Sequence, residues 1–155
     1  MTTRIDSDGL EYRKALAGLI RRADRIVVTE HSYLYDAYDA DAGKSLIPNE
    51  VVYGRHPLSP SQRDFFQSLV DGLDPTTQDA FAACIFEPHH RIEFYASGER
   101  ISTMAICFKC SQVKWDITSA IPPWSLYSGL AALMEEVGFS SERDWVALAK
   151  QHLGS

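Results

Sequence analysis

The sequence predicts an α+β fold: a small antiparallel sheet, built as a meander with a central hairpin, packed by N-terminal and C-terminal helices. Three observations predict it. An amphipathic helical stretch and a β-branched run open the chain. A turn signal, Ser97-Gly98-Glu99, sits between two strand-like runs. Helical periodicity then returns after Pro122-Pro123. Helices and strands are segregated rather than alternating, which argues against a doubly wound parallel sheet. At 155 residues, the chain is expected to form one domain, 1–155. A chain of that size buries about 70% of its unfolded surface and needs no staple to hold a core.

Each element has a local reason. Over Asp8–Ala23, Leu10, Leu16, Leu19, Ile20 and Ala23 fall at helical spacing among Arg13, Lys14, Arg21 and Arg22. Arg25–Glu30 carries Ile26, Val27 and Val28 together, the mark of a buried strand. Ser32–Tyr53 shows no period and predicts an ordered but irregular excursion. Ser59-Pro60-Ser61-Gln62 is a helix start: Ser59 caps, Pro60 suits the first turn, and Gln62 completes a capping box. Phe65, Phe66, Leu69, Val70 and Leu73 form that helix's apolar stripe. Asp74-Pro75 predicts a shorter helix to about Ala82. Arg91–Ala96 and Arg100–Phe108 are the hairpin strands, and Gln112–Ile117 adds a third. Pro122-Pro123 opens a helix with Leu126, Tyr127, Leu130, Met134 and Val137 on one face, ended by Gly138. Ser140 or Ser141 is expected to cap a last helix carrying Trp145, Val146, Leu148 and Ala149.

Composition and motifs exclude several functions. A net charge of −6 argues against general nucleic-acid binding and against docking on an anionic membrane. No apolar run approaches the roughly 18 residues of a membrane span, and the polar start predicts a cytoplasmic protein. Gly43-Lys44-Ser45 lacks the upstream glycine of a phosphate-binding loop, because Tyr38 stands there. Neither a Gly-x-Ser-x-Gly elbow nor a His-Glu-x-x-His motif is present. Asp36, Asp39 and Asp41 lack the glycine and distal glutamate of a calcium loop.

The stretch richest in chemistry is Cys84-Ile-Phe-Glu-Pro-His89-His90 followed by Cys107-Phe-Lys-Cys110. With the turn centred on Gly98-Glu99, Cys107 is expected opposite His90 at the open end of the hairpin, with His89 as the neighbouring alternative. Cys84, Cys107, Cys110 and one imidazole would suit a structural zinc site. A redox pair, Cys107–Cys110 or Cys84 with one of them, is a second reading. Packing of reduced thiols and imidazoles in the core is a third.

This pattern, Cys-x-Phe-x-Pro-x-His and then Cys-Phe-x-Cys, resembles a motif recurring in small bacterial proteins. The resemblance covers Cys84 to Cys110 well and the Leu-rich C-terminal helix loosely, about a quarter of the chain. It implies an α+β bacterial domain and assigns no reaction. In size, acidity and lack of catalytic motifs the chain is also similar to the cognate immunity proteins of bacterial antagonism systems. That similarity implies a non-enzymatic protein that occludes a toxin. The residues expected to meet such a protein partner are Asp36, Tyr38, Asp39 and Asp41, because tyrosines and carboxylates in a long irregular segment suit an interface with a basic surface. The alternative is that Tyr33, Tyr35 and Tyr38 cover the sheet.

Overall fold

The computed structural model describes residues 4–47, 49–81 and 83–153. Among them the order is α1 (Arg4–Arg22), β1 (Arg25–His31), β2 (Tyr38–Asp39), β3 (Lys44–Ser45), β4 (Val52–Pro57), α2 (Pro60–Asp71), β5 (His90–Ala96), β6 (Glu99–Cys107), β7 (Gln112–Trp115), α3 (Leu126–Glu136) and α4 (Trp145–Leu153). The main sheet runs β4-β1-β5-β6-β7, every pair antiparallel, and β2-β3 form a separate ribbon. The α+β architecture expected from the sequence is therefore present.

Register explains what the sheet buries. Residues directly opposite in an antiparallel pair share a face. Three rows cross the covered face: Ile26, Phe94 and Ser102; then Val28, Ile92, Met104 and Trp115; then Glu30, His90, Ile106 and Val113. The first two rows pack with Leu16, Leu19 and Ile20 of α1, Phe66 and Val70 of α2, and Leu126, Leu130 and Leu133 of α3. The third row puts two titratable side chains where apolar ones are expected. The opposite face mixes polar residues such as Thr29, Arg91, Glu93 and Thr103 with the buried Val27 and Cys107. There, burial works against the Glu93 carboxylate, but hydrogen bonds from Arg100, Arg91 and Tyr95 hold its pKa below the usual carboxylate range.

Several helix signals operate as the sequence predicts. Ser59 accepts from the Gln62 amide while Gln62 accepts from the Ser59 amide, completing the capping box. Gly138 takes φ 88° just past α3. Its N–H reaches the Glu135 carbonyl and the Phe139 N–H reaches Met134, so two orphan carbonyls of the last turn are satisfied. Across the fold, the Arg63 guanidinium of α2 donates to the carbonyls of Ile20, Arg21 and Ala23, placing a cation at the carboxyl end of α1.

Other expectations need correction. No helix follows Asp74; residues 74–81 are irregular, and Ala82 lies outside the described residues. Tertiary partners take the backbone groups a helix would have used: Gln78 N–H goes to the Pro122 carbonyl, and the Thr76 carbonyl receives Trp124 N–H. The Asp74 carboxylate accepts from Thr76 N–H, which closes a local turn instead of starting a helix. Strand β4 is an addition, found inside and beyond the segment expected to be irregular; its mostly exposed edge gives no period to read. α3 starts at Leu126 rather than at Pro122-Pro123. The last helix is capped by Asp144, whose carboxylate accepts from Ala147 N–H, rather than by Ser140 or Ser141.

Candidate functional site

The hairpin turn is Ser97-Gly98, with φ 54° and 80° at the two residues, the positive pair a tight two-residue loop requires. It lies one residue earlier than the sequence centring, which moves the opposing position by two, and an irregularity between Phe94 and Tyr95 returns one of them. His90 consequently faces Ile106, not Cys107. One residue of register moves a side chain to the other face. Cys107 therefore leaves the sheet on the side opposite His90, buried, as a free thiol.

Cys84 and Cys110 form a disulfide with their Cα atoms 6.1 Å apart. That bond takes two of the three sulfurs expected to ligate zinc. Among the described residues no group of three His, Cys, Asp or Glu side chains could hold a metal ion. The set Cys84, His90, Cys107 and Cys110, with His89 in reserve, is thus divided between a disulfide, a buried thiol and two imidazoles with carboxylate partners.

Those imidazoles bring together carboxylates, a guanidinium and an aromatic ring at one site. His90 and Glu30 sit side by side in the third row, with Nε2 of His90 3.3 Å from the Glu30 carboxylate. Arg143 reaches the other oxygen of Glu30 at 2.5 Å. Burial pushes the His90 imidazole down to about 4, although Glu30 pulls the other way. His90 is therefore neutral at pH 7, with the Nε2 proton donated to Glu30. Its Nδ1 is buried and has no partner among the described residues. His31, also buried, is pushed below the usual imidazole range chiefly by desolvation.

His89 is held differently. Its Nε2 lies 2.9 Å from both oxygens of Asp36. Its ring stacks on Trp145 at 4.1 Å between centroids and 7° between planes. Trp145 also meets the edge of His90. Asp36, which accepts from the Tyr33 N–H as well, fixes the start of the excursion to this site. His89, His90, Asp36, Trp145 and Arg143 contribute to the walls of a cavity of about 280 Å³.

Aromatic rings lead from this cavity to the surface. Tyr33 lies 6.3 Å from His89, Tyr35 5.6 Å from Tyr33, and Tyr38 5.2 Å from Tyr35, each pair edge to face. Tyr35 and Tyr38 are 53% and 48% exposed, so they do not cover the sheet. Leu34 and Leu46 are comparably open. Among the four residues expected to meet a partner, Tyr38 and Asp41 are exposed. Asp36 is buried against His89, and the Asp39 carboxylate accepts from the N–H groups of Asp41 and Ala42, closing the β2–β3 turn.

Glu30, Arg143 and Trp145 were not singled out by sequence. A glutamate in phase with Ile26 and Val28 is the one signal that could have flagged the first. No local pattern points to the others. Comparison with protein-family models, curated proteins and solved structures found no match.

Proposed function

We propose that this is a non-enzymatic binding protein that occludes a basic protein partner, in the manner of an immunity protein neutralising a toxin. The observation that carries the reading is the exposed tyrosine pair, Tyr35 and Tyr38, stacked edge to face on an excursion anchored by Asp36 and His89. Rings held in place before binding give up little conformational freedom on contact, which favours affinity. Leu34 and Leu46 add apolar surface beside them, and Asp41 adds charge. The overall −6 charge would steer a basic partner toward the protein.

The test begins with capture of a partner from the source organism and its identification by mass spectrometry. Affinity is then measured for wild type, Tyr35→Ala, Tyr38→Ala and Asp41→Lys, each checked for an unchanged melting temperature. Central aromatic contacts typically cost about 2 kcal/mol or more on truncation, so Tyr35→Ala should weaken binding at least tenfold. Asp41→Lys should slow association and flatten its salt dependence. Asp39→Lys is a poor probe because it also opens the turn. Wild-type affinity in all three variants would overturn the site.

A further inference from the structure

The tyrosine surface leaves the cavity at the end of the covered face unused. We propose that this cavity binds a guanidinium or primary ammonium group, with His89 as the acceptor on its inner wall and Glu87 and Glu142 as the receiving carboxylates. This inference does not rest on the partner reading above.

The inner acceptor follows from the geometry of His89. Asp36 takes the Nε2 proton, so in the neutral ring Nδ1 carries the lone pair. Trp145, stacked flat on the ring, holds it in its plane. The side chain is 8% exposed and lines the cavity, yet its Nδ1 has no hydrogen-bond partner among the described residues. An acceptor that opens onto the cavity in this way is free to take a donor from a bound group.

Charge decides which donor. Four lining residues are acidic, Asp36, Glu87, Glu142 and Asp144, against Lys109 and Arg143. Arg143 is drawn to Glu30, Asp36 to His89, and Asp144 to the α4 cap. Glu87 and Glu142 hold no hydrogen bond or ion pair among the described residues. Lys109 holds none either, so the free charge is two carboxylates against one ammonium, a net negative charge that disfavours anions. The volume, about 280 Å³, equals that of about nine waters, room for a guanidinium head and part of its chain. The cation could belong to a free small molecule or to a basic side chain of a protein; the chemistry recognised is the same.

The experiment titrates the protein with arginine amide at pH 8, followed by amide and indole resonances. Citrulline amide, its neutral isostere, is the control. A blocked tripeptide with arginine in the middle distinguishes the sources. Expected are saturable shifts at the Trp145 indole N–H and at His89 with arginine amide, and none with citrulline amide. Tighter binding of the tripeptide points to a protein side chain, and weaker binding to a small molecule. Glu87→Gln/Glu142→Gln, confined to the less buried lining, should weaken binding roughly three- to tenfold. His89→Phe keeps the stack and removes the acceptor; it should abolish binding, and if it fails to fold the double variant decides. Equal shifts from citrulline amide, shifts confined to Asp39 and Asp41, or wild-type affinity in the double variant would each overturn the proposal.

Discussion

Acidification should destabilise this protein through His90, well before its carboxylates are neutralised. The unfolded chain takes up a proton at His90 as pH falls through about 6.5, the ordinary imidazole value. The folded protein resists until about 4. The stability of the neutral, buried ring is thus complete above pH 6.5 and is lost as pH falls toward 4. Each pH unit in that window is about 1.4 kcal/mol, so the full loss is about 3 kcal/mol, and about 2 kcal/mol of it comes by pH 5. The groups facing His90 are Glu30, which opposes the effect, and His31 and His89, which reinforce it. Arg143 acts on the ring through Glu30. The assay is urea unfolding at half-unit steps from pH 7.5 to 5, in wild type and in His90→Phe. The phenyl ring fills the imidazole space, and Glu30 keeps Arg143. Wild type should lose about 2 kcal/mol more than the variant across the window. Parallel pH profiles would refute the argument, since His31 and the other groups are common to both.

The remaining predictions concern packing and sulfur chemistry. Gly18 in α1 has nothing within 4 Å of where a Cβ would stand, so Gly18→Ala should raise stability by about 0.8 kcal/mol. Gly9 in the same helix would bring its Cβ against the Pro75 carbonyl, so Gly9→Ala should reverse the sign and cost about 1–3 kcal/mol. A denaturation series on both variants checks the pair, and stabilisation by Gly9→Ala would contradict the packing of α1 on the 74–77 segment. Cys84→Ser removes a link between residues 26 apart and should cost about 3.5 kcal/mol by the loop-entropy estimate, read as a lowered urea midpoint. In wild type without reductant, thiol titration should find no reactive thiol in the native protein and one, Cys107, after unfolding. Alkylation in intact cells before lysis, followed by mass spectrometry, would show whether the disulfide forms where the protein works, since a cytoplasmic protein is normally kept reduced.

Most of the fold is written in short-range signals. The capping box at Ser59–Gln62, the glycine after α3 and the positive-φ turn at Ser97-Gly98 each fix an element boundary by local chemistry alone. Expectation failed where tertiary contacts decided. Asp74-Pro75 carries the start signal of a helix, but Thr77 accepts from Gly9 N–H and bridges Pro123, so the segment becomes a strap between α1 and the start of α3. Strand β4 is half exposed at a sheet edge and contains Gly54, against which the Phe139 ring packs. Nothing in its own pattern announces it.

The site was half legible for the same reason. His89 and His90 stood out as a pair in a cysteine-rich stretch, and their proximity to the hairpin's open end follows from sequence. What the sequence could not give was their partners. Asp36 lies 53 residues from His89, Glu30 lies 60 from His90, and Arg143 lies 113 from Glu30. Moving the turn one residue shifts the opposing position by two, and the irregularity between Phe94 and Tyr95 gives one back. Adjacent residues on a strand point to opposite faces, so the net one-residue shift exchanged the thiol Cys107 for the apolar Ile106 as the neighbour of His90. That exchange separates a metal centre from a neutral imidazole in an apolar row. A buried charge needs a partner to be tolerated, and Glu30, in phase with Ile26 and Val28, is such a charge. Its phase alone implies that a cation or a histidine must cross to meet it, as Arg143 and His90 do.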